Sequence, residues 1–132
     1  MPRECCPPPP DKTTFSFFFG CKCKSIVVDG CKKTQVLFDT AMASCEVVNC
    51  QRMQIQCREK VAAVAIDKTD GIIVFLPASS LDTEIVASKS SEMNVSWPDA
   101  NGDLLEKPIP EQYKHRIQGT SVTAEVSDLY TH

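Results

Sequence analysis

Five cations, Lys32, Lys33, Arg52, Lys68 and Lys89, sit in four short segments built from turn-forming residues: Asp29-Gly-Cys-Lys-Lys33, Val48-Asn-Cys-Gln-Arg52, Asp67-Lys-Thr-Asp-Gly71 and Ser88-Lys-Ser-Ser-Glu92. These types suit recognition by charge: lysine and arginine attract an acidic surface, and Thr69, Ser90 and Ser91 add hydroxyl donors. They also suit plain solvated turns, because Asp, Asn, Gly and Ser tolerate tight backbone geometry. Residue type alone does not separate the two.

Covalent chemistry has weaker support. No Gly-rich phosphate loop, His-Glu-x-x-His or Gly-x-Ser-x-Gly occurs. Ser90, Asp70 and His115 can be strung into a triad, but any domain of this size offers such a set, and Asp67 and Asp70 read as turn formers. A zinc site from Cys5-Cys6, Cys21-Lys-Cys23 and His115 or His132 would lack paired Cys-x2-4-Cys knuckles. The expectation is a protein without catalytic residues, metal or cofactor.

What must position the corner residues is a repeating strand. Ser91-Glu-Met-Asn-Val-Ser-Trp97 alternates Met93, Val95 and Trp97 with polar residues, as a half-buried strand does. Counting back by about one repeat gives Ile73, Phe75 and Pro77, then Met53, Ile55 and Cys57, then Thr34, Val36 and Phe38, then Phe15, Phe17 and Phe19. A second column runs between these rungs: Ile26 and Val28, Cys45 and Val47, Val64 and Ile66, Ile85 and Ala87, at spacings of 19, 19 and 21. Two strands per repeat keeping step predict an all-β fold, a right-handed parallel β-helix of about five two-stranded coils. Stacked coils stack their corners, and the cations then form a basic row along one edge.

At 132 residues there is room for one domain. Residues 1–14 read as a Pro-rich leader, in which Pro7–Pro10 favour polyproline II and could meet an SH3-type or profilin-like partner. Residues 15–132 read as the β-helix, with an extension from about residue 104. A net charge of −3 argues against nucleic acid, and no run of 18 apolar residues argues for a membrane span. Without an export signal the eight cysteines are expected as reduced thiols in a cytoplasmic protein. Past Trp97 the period stops, and Ser121-Val122-Thr123-Ala124-Glu125-Val126 alternates again with no coil to join. A second copy that exchanges this strand would cover it, which predicts a homodimer.

Cys31-Lys-Lys-Thr34, Val47-Val-Asn-Cys50, Ile66-Asp-Lys-Thr-Asp-Gly71, Leu81-Asp-Thr-Glu-Ile-Val86, Lys89-Ser-Ser-Glu-Met-Asn-Val95 and Pro108-Ile-Pro-Glu-Gln-Tyr113 closely resemble, in order, the C-terminal domain of cyclase-associated proteins. The resemblance implies a β-helix dimerised by exchanged C-terminal strands, binding of ADP-loaded monomeric actin and faster exchange of its ADP for ATP. It directs the actin contact to Lys32, Lys33, Lys68, Thr69, Asp70, Lys89, Ser90, Ser91, Glu92, Asn94, Glu111 and Gln112. This chain looks like the short form without the N-terminal helical and WH2 regions, so adenylyl cyclase binding and filament severing are not carried over. The same β-helix superfamily holds tubulin-folding cofactor C, a GTPase activator that presents an arginine finger. Here the arginine slot falls on Gln54, with Arg52 two residues early, or ~6.6 Å along a strand, outside catalytic tolerance. A bare scaffold that alters no nucleotide is the third alternative.

Overall fold

Side chains at every second position of an extended chain share one face, so a chain that places apolar residues at that period builds a ladder whose inner face seeks cover. The computed structural model describes residues 15–127. It orders β1 (Phe15–Asp29), β2 (Thr34–Val48), β3 (Gln51–Val61), β4 (Ala63–Asp67), β5 (Asp70–Phe75), β6 (Glu84–Ser88), β7 (Ser91–Pro98), β8 (Leu104–Pro108), β9 (Tyr113–Gln118) and β10 (Ser121–Val126). The strands form a parallel solenoid of stacked coils, and among the described residues only the 3-10 turn at Ala78–Ser80 is helical. The proposed leader and the end of the chain lie outside the described residues, as do Cys5, Cys6 and His132 from the candidate zinc set.

Each coil crosses two faces. On the first, Phe17, Val36, Ile55, Val74 and Val95 are successive in-register partners. On the second, Val28, Val47, Ile66 and Ala87 are. The long strands β1 and β2 supply a rung to both faces, with register shifts where the chain bends between them. The inner sides meet in one core that includes Phe38, Met53, Ile55, Ile66, Val64 and Val74. Where the faces converge there is little width, and each bend is filled by a column of small residues. Cys31, Cys50 and buried Thr69 line one bend; Cys23, Ala41, Val61 and Ser80 line the other.

The second column follows the sequence reading pair for pair: Ile26 with Cys45, Cys45 with Val64, Val64 with Ile85. The first column departs from it in one coil. Met53 pairs with Ile72 and Ile55 with Val74, so the inward set is Ile72, Val74 and Leu76, and Ile73, Phe75 and Pro77 face outward. A slip of one residue turns a whole strand over. The cause is unequal coil length, since Met53 to Ile72 is 19 residues and Ile72 to Met93 is 21. The two additional residues sit in the turn after Ser80, where Ser80, Thr83 and Val61 share a hydrogen-bond cluster. Trp97 likewise leaves the column: it lies opposite Leu105 of β8, while Ser96 is buried. Of the phenylalanines read into the first rung, Phe17 is half-buried and the side chains of Phe15 and Phe19 lie outside the described residues; their neighbour Phe18 is exposed.

The cysteines serve the core. Burial pushes Cys45 up to about 12, and burial, outweighing a backbone hydrogen bond that lowers it, pushes Cys57 up to about 11, so both stay neutral thiols at ordinary pH. Cys31 is disulfide-bonded, which corrects the expectation of reduced thiols at that position. Compartment sets the tendency of a chain, whereas the fold decides which sulfurs come within reach.

The end of the solenoid is closed unevenly. Antiparallel β8 pairs with β7 and covers the first face. Strand β6 pairs with β4 on one side only and leaves the second face open, with Val86 exposed. Ser121–Val126 has a partner within the chain, because β10 folds back on β9 as a separate two-stranded sheet. It joins no coil of the solenoid among the described residues; Gly119, at φ 63, supplies the left-handed residue its turn requires. No helix among the described residues is long and apolar enough to cross a membrane.

The register can be checked by replacing two adjacent residues. Ile72→Asn should cost at least ~3 kcal/mol by burying an unpaired amide in a lost apolar site, while Ile73→Asn should stay within ~1 kcal/mol. Urea midpoints of the two variants decide between the registers, and the reverse order would restore the column read from sequence.

Candidate functional site

Every corner of the first bend is built on two left-handed residues: Gly30 and Lys33, Asn49 and Arg52, Lys68 and Gly71, Lys89 and Glu92. The steric cost of that conformation, about 1–2 kcal/mol for a residue with a Cβ, explains the glycines and the asparagine. It does not explain three lysines, an arginine and a glutamate. Each holds a charged side chain where glycine would fit with less strain, which points to a use for the charge.

The corners interlock through the backbone. Gly30 N donates to Val48 O, Asn49 N to Asp67 O and Lys68 N to Ser88 O, each at 3.0 Å. Side chains at the central position close a second rail: Cys31 N donates to Cys50 Sγ at 3.4 Å and Thr69 N to Ser90 Oγ at 3.1 Å. The Thr69 hydroxyl donates in turn to Asp67 O at 3.1 Å, and the Ser90 hydroxyl to Ser88 O at 2.9 Å. Both rails stop at the last corner. Lys89 N and Ser90 N, which by the repeat would donate to a following coil, have no acceptor among the described residues.

Stacking divides the expected basic row into three columns. Gly30, Asn49, Lys68 and Lys89 form one; Lys32, Gln51, Asp70 and Ser91 the next; Lys33, Arg52, Gly71 and Glu92 the third. Cations therefore cluster in pairs, Lys68 with Lys89 and Lys33 with Arg52, because the coils align by position in the turn and not by residue type. Beside the first pair lies an open depression of about 590 Å³, lined by Asn49, Gln51, Lys68, Asp70, Lys89, Ser91 and Glu111 among others. The Ser91 hydroxyl donates to Asp70 Oδ1, and Glu92 N donates to Glu111 Oε2 at 2.9 Å, which ties Glu111 to the rim. Two lysines, two carboxylates and a bare pair of backbone donors make a surface for mixed polar recognition.

Residues 17–129 match the family model described as adenylate cyclase associated (CAP) C terminal. The chain belongs to this family. It is 46% identical over 127 residues to the adenylyl cyclase-associated protein of Dictyostelium discoideum, covering 88% of this chain and 27% of that protein. Against human adenylyl cyclase-associated protein 1 the identity is 42% over 108 residues, covering 82% and 23%. The chain thus spans about a quarter of the length of these curated relatives. The crystal structure of cyclase-associated protein from Cryptosporidium parvum superposes with a TM-score of 0.81 at 28% identity, over 85% of this chain and 70% of that one.

Within this CAP C-terminal domain, Lys68, Asp70, Lys89, Ser90, Ser91 and Glu111 come together at the depression. Thr69 is beneath it, 1% exposed, with its hydroxyl engaged by the backbone. Lys32 and Lys33 stand on the first corner, and Asn94 lies on the outer face in line with Ile73 and Gln54. Gln112 is exposed, its carbonyl accepting from Ser127 N at 2.9 Å. Asn49 and Gln51 were missed, although they occupy the slots of Lys68 and Asp70 one coil earlier; stacking the corners position by position would have found them. The triad residues are engaged elsewhere, His115 on β9 opposite Ala124 and Ser90 on its own backbone. Arg52, the second residue of β3, is in the left-handed conformation, and Gln54 projects from the outer face.

Replacing Lys68 and Lys89 by glycine relieves two left-handed side chains. Each change should raise stability by ~1 kcal/mol, measured by thermal or urea unfolding. A loss of stability at both sites would show that the lysines are held for the fold and not for their charge.

Proposed function

We propose that this domain binds monomeric actin, with preference for the ADP-loaded form, and speeds exchange of that ADP for ATP. The observation that carries the reading is the depression at the last two corners, lined by strained lysines and the Glu111 carboxylate and bordered by Lys89 and Ser90 amides that have no acceptor among the described residues. Actin is acidic, and cations fixed on a rigid solenoid lose little entropy on docking. Family membership supports the same partner through the resemblance drawn from the sequence. Association with adenylyl cyclase, which the relatives' names record, is not extended to a segment matching a quarter of their length.

Linkage states what exchange activity requires. The domain lowers actin's affinity for nucleotide only by binding the open or empty form more tightly than the loaded one. A hundredfold loosening needs ~2.7 kcal/mol of such preference, within the range of a few charge-assisted contacts made in one form only. Lys68→Ala with Lys89→Ala should weaken binding to ADP-actin about tenfold or more and flatten its dependence on salt, with unfolding unchanged, since alanine keeps the Cβ and relieves no strain. Release of a fluorescent nucleotide from actin, followed with catalytic and stoichiometric amounts of the domain, tests exchange itself. Binding without faster release would make it a sequestering factor.

The domain acts, in this reading, as a homodimer joined through β9 and β10. One side of that hairpin pairs Tyr113 with Val126, His115 with Ala124 and Ile117 with Val122, while the other carries the Lys114–Glu125 ion pair at 3.5 Å. Ile117 is 81% and Val122 68% exposed, and a two-stranded hairpin has too little cover of its own to be stable in water. The open edge of β6 in a second copy is the matching lack. Truncation after Gly119 should give a monomer or an aggregate by light scattering, and a monomeric full chain at micromolar concentration would refute the exchange.

A further inference from the structure

We propose that the outer surface of the first face is a docking groove for this chain's own proline run, Pro7–Pro10. The outer side of a solenoid strand meets water and is ordinarily polar, yet here Phe18, Leu37, Gln56 and Phe75 are successive register partners in one outward column. The neighbouring column is Ser16, Gln35, Gln54 and Ile73. Between them runs a groove of about 190 Å³ without a charged residue in its lining. The groove thus offers apolar surface at Phe18, Leu37 and Phe75 and side-chain amides between.

That composition matches one ligand chemistry. A polyproline II segment presents flat pyrrolidine rings and backbone carbonyls, and it has no N–H groups to satisfy. Its receptor therefore needs aromatic faces for the rings and donors for the carbonyls. Phe18 is 55% exposed, and its ring is held from one side by the Arg58 guanidinium, 5.4 Å from the ring centroid. Ser16 donates to Gln35 Oε1 at 3.4 Å, which leaves the Gln35 amide N–H groups as donors. The side chains of Gln54 and Gln56 have no hydrogen-bond partner among the described residues, and their amides are exposed.

The position of the run selects it over a proline-rich stretch from elsewhere. Residues 1–14 join β1 at Phe15, and Ser16 already lines the groove. The six residue-to-residue steps from Pro10 to Ser16 reach at most about 20 Å, enough for the chain to turn back over the face it has just begun. A tether this short gives an effective concentration on the order of millimolar, so a weak site is occupied by the attached segment before any free one. Docking in this way would withhold the prolines from an SH3-type or profilin-like partner until that partner competes them out.

The test compares the full chain with a variant in which Pro7, Pro8, Pro9 and Pro10 are all serine. The probe is a synthetic peptide of residues 1–14 with Cys5 and Cys6 replaced by serine, and binding is read from the side-chain amide signals of Gln35, Gln54 and Gln56 by NMR. The peptide should bind the serine variant roughly tenfold more tightly than the intact chain, whose groove is already filled. In the intact chain those amide signals should sit at their bound positions, independent of protein concentration. Phe18→Ser or Gln56→Ala should abolish peptide binding in the serine variant while urea midpoints move little. Equal binding to both chains, or to neither, overturns the proposal. So do amide positions that shift with protein concentration, since the occupant would then be another copy's leader.

Discussion

Everything in this molecule depends on one constraint: a parallel coil satisfies its backbone groups only through the coil above and the coil below. That requirement fixes the register of the faces, and it extends through the bends, where Gly30, Asn49 and Lys68 each donate to the carbonyl one coil on. A corner that strayed from its neighbour's path would leave buried amides unpaired. The chain accepts left-handed strain at Lys33, Arg52, Lys68, Lys89 and Glu92 to keep the path common to all coils.

The same constraint explains the choice of small polar residues at the first bend. A cysteine, threonine or serine at the central position is narrow enough for converging faces, and its sulfur or hydroxyl reaches a backbone group in its own coil or the preceding one. Cys50 serves here as a small apolar filler with a weak hydrogen-bonding atom, a use distinct from metal binding or catalysis. At the opposite bend Ser80 plays the equivalent part, with its hydroxyl on Val61 N and O. The last corner inherits backbone donors that the repeat would have paired with a following coil.

How much was legible follows from where spacing is constant. Ile26, Cys45, Val64 and Ile85 could be aligned because strand, bend and strand separate them by nearly equal lengths and their apolar character is unbroken. Ile73 was misplaced against Ile72 because both are isoleucine, and an average step of 20 hides one coil of 19 followed by one of 21. The candidate site was readable in its residue types at Lys68, Asp70, Lys89, Ser90, Ser91 and Glu111. Its geometry was not, since whether Thr69 points inward or Lys68 outward is settled by backbone handedness at each turn position, which residue type constrains only at glycine. The hairpin was half legible: alternation marked Ser121–Val126 as a strand, but its partner Tyr113–Gln118 hides its pattern among charged residues.

Nearly constant coil length also bears on how such a chain assembles. Each new parallel pairing closes a loop of about the same size, 18 to 21 residues between partners. The entropy of closing a flexible loop grows as (3/2)RT ln n, so the extremes differ by only about 0.1 kcal/mol. No coil is then favoured as a starting point by chain entropy. Nucleation then falls to whichever adjacent pair of coils buries most apolar surface, and each later coil adds to a neighbour already in place.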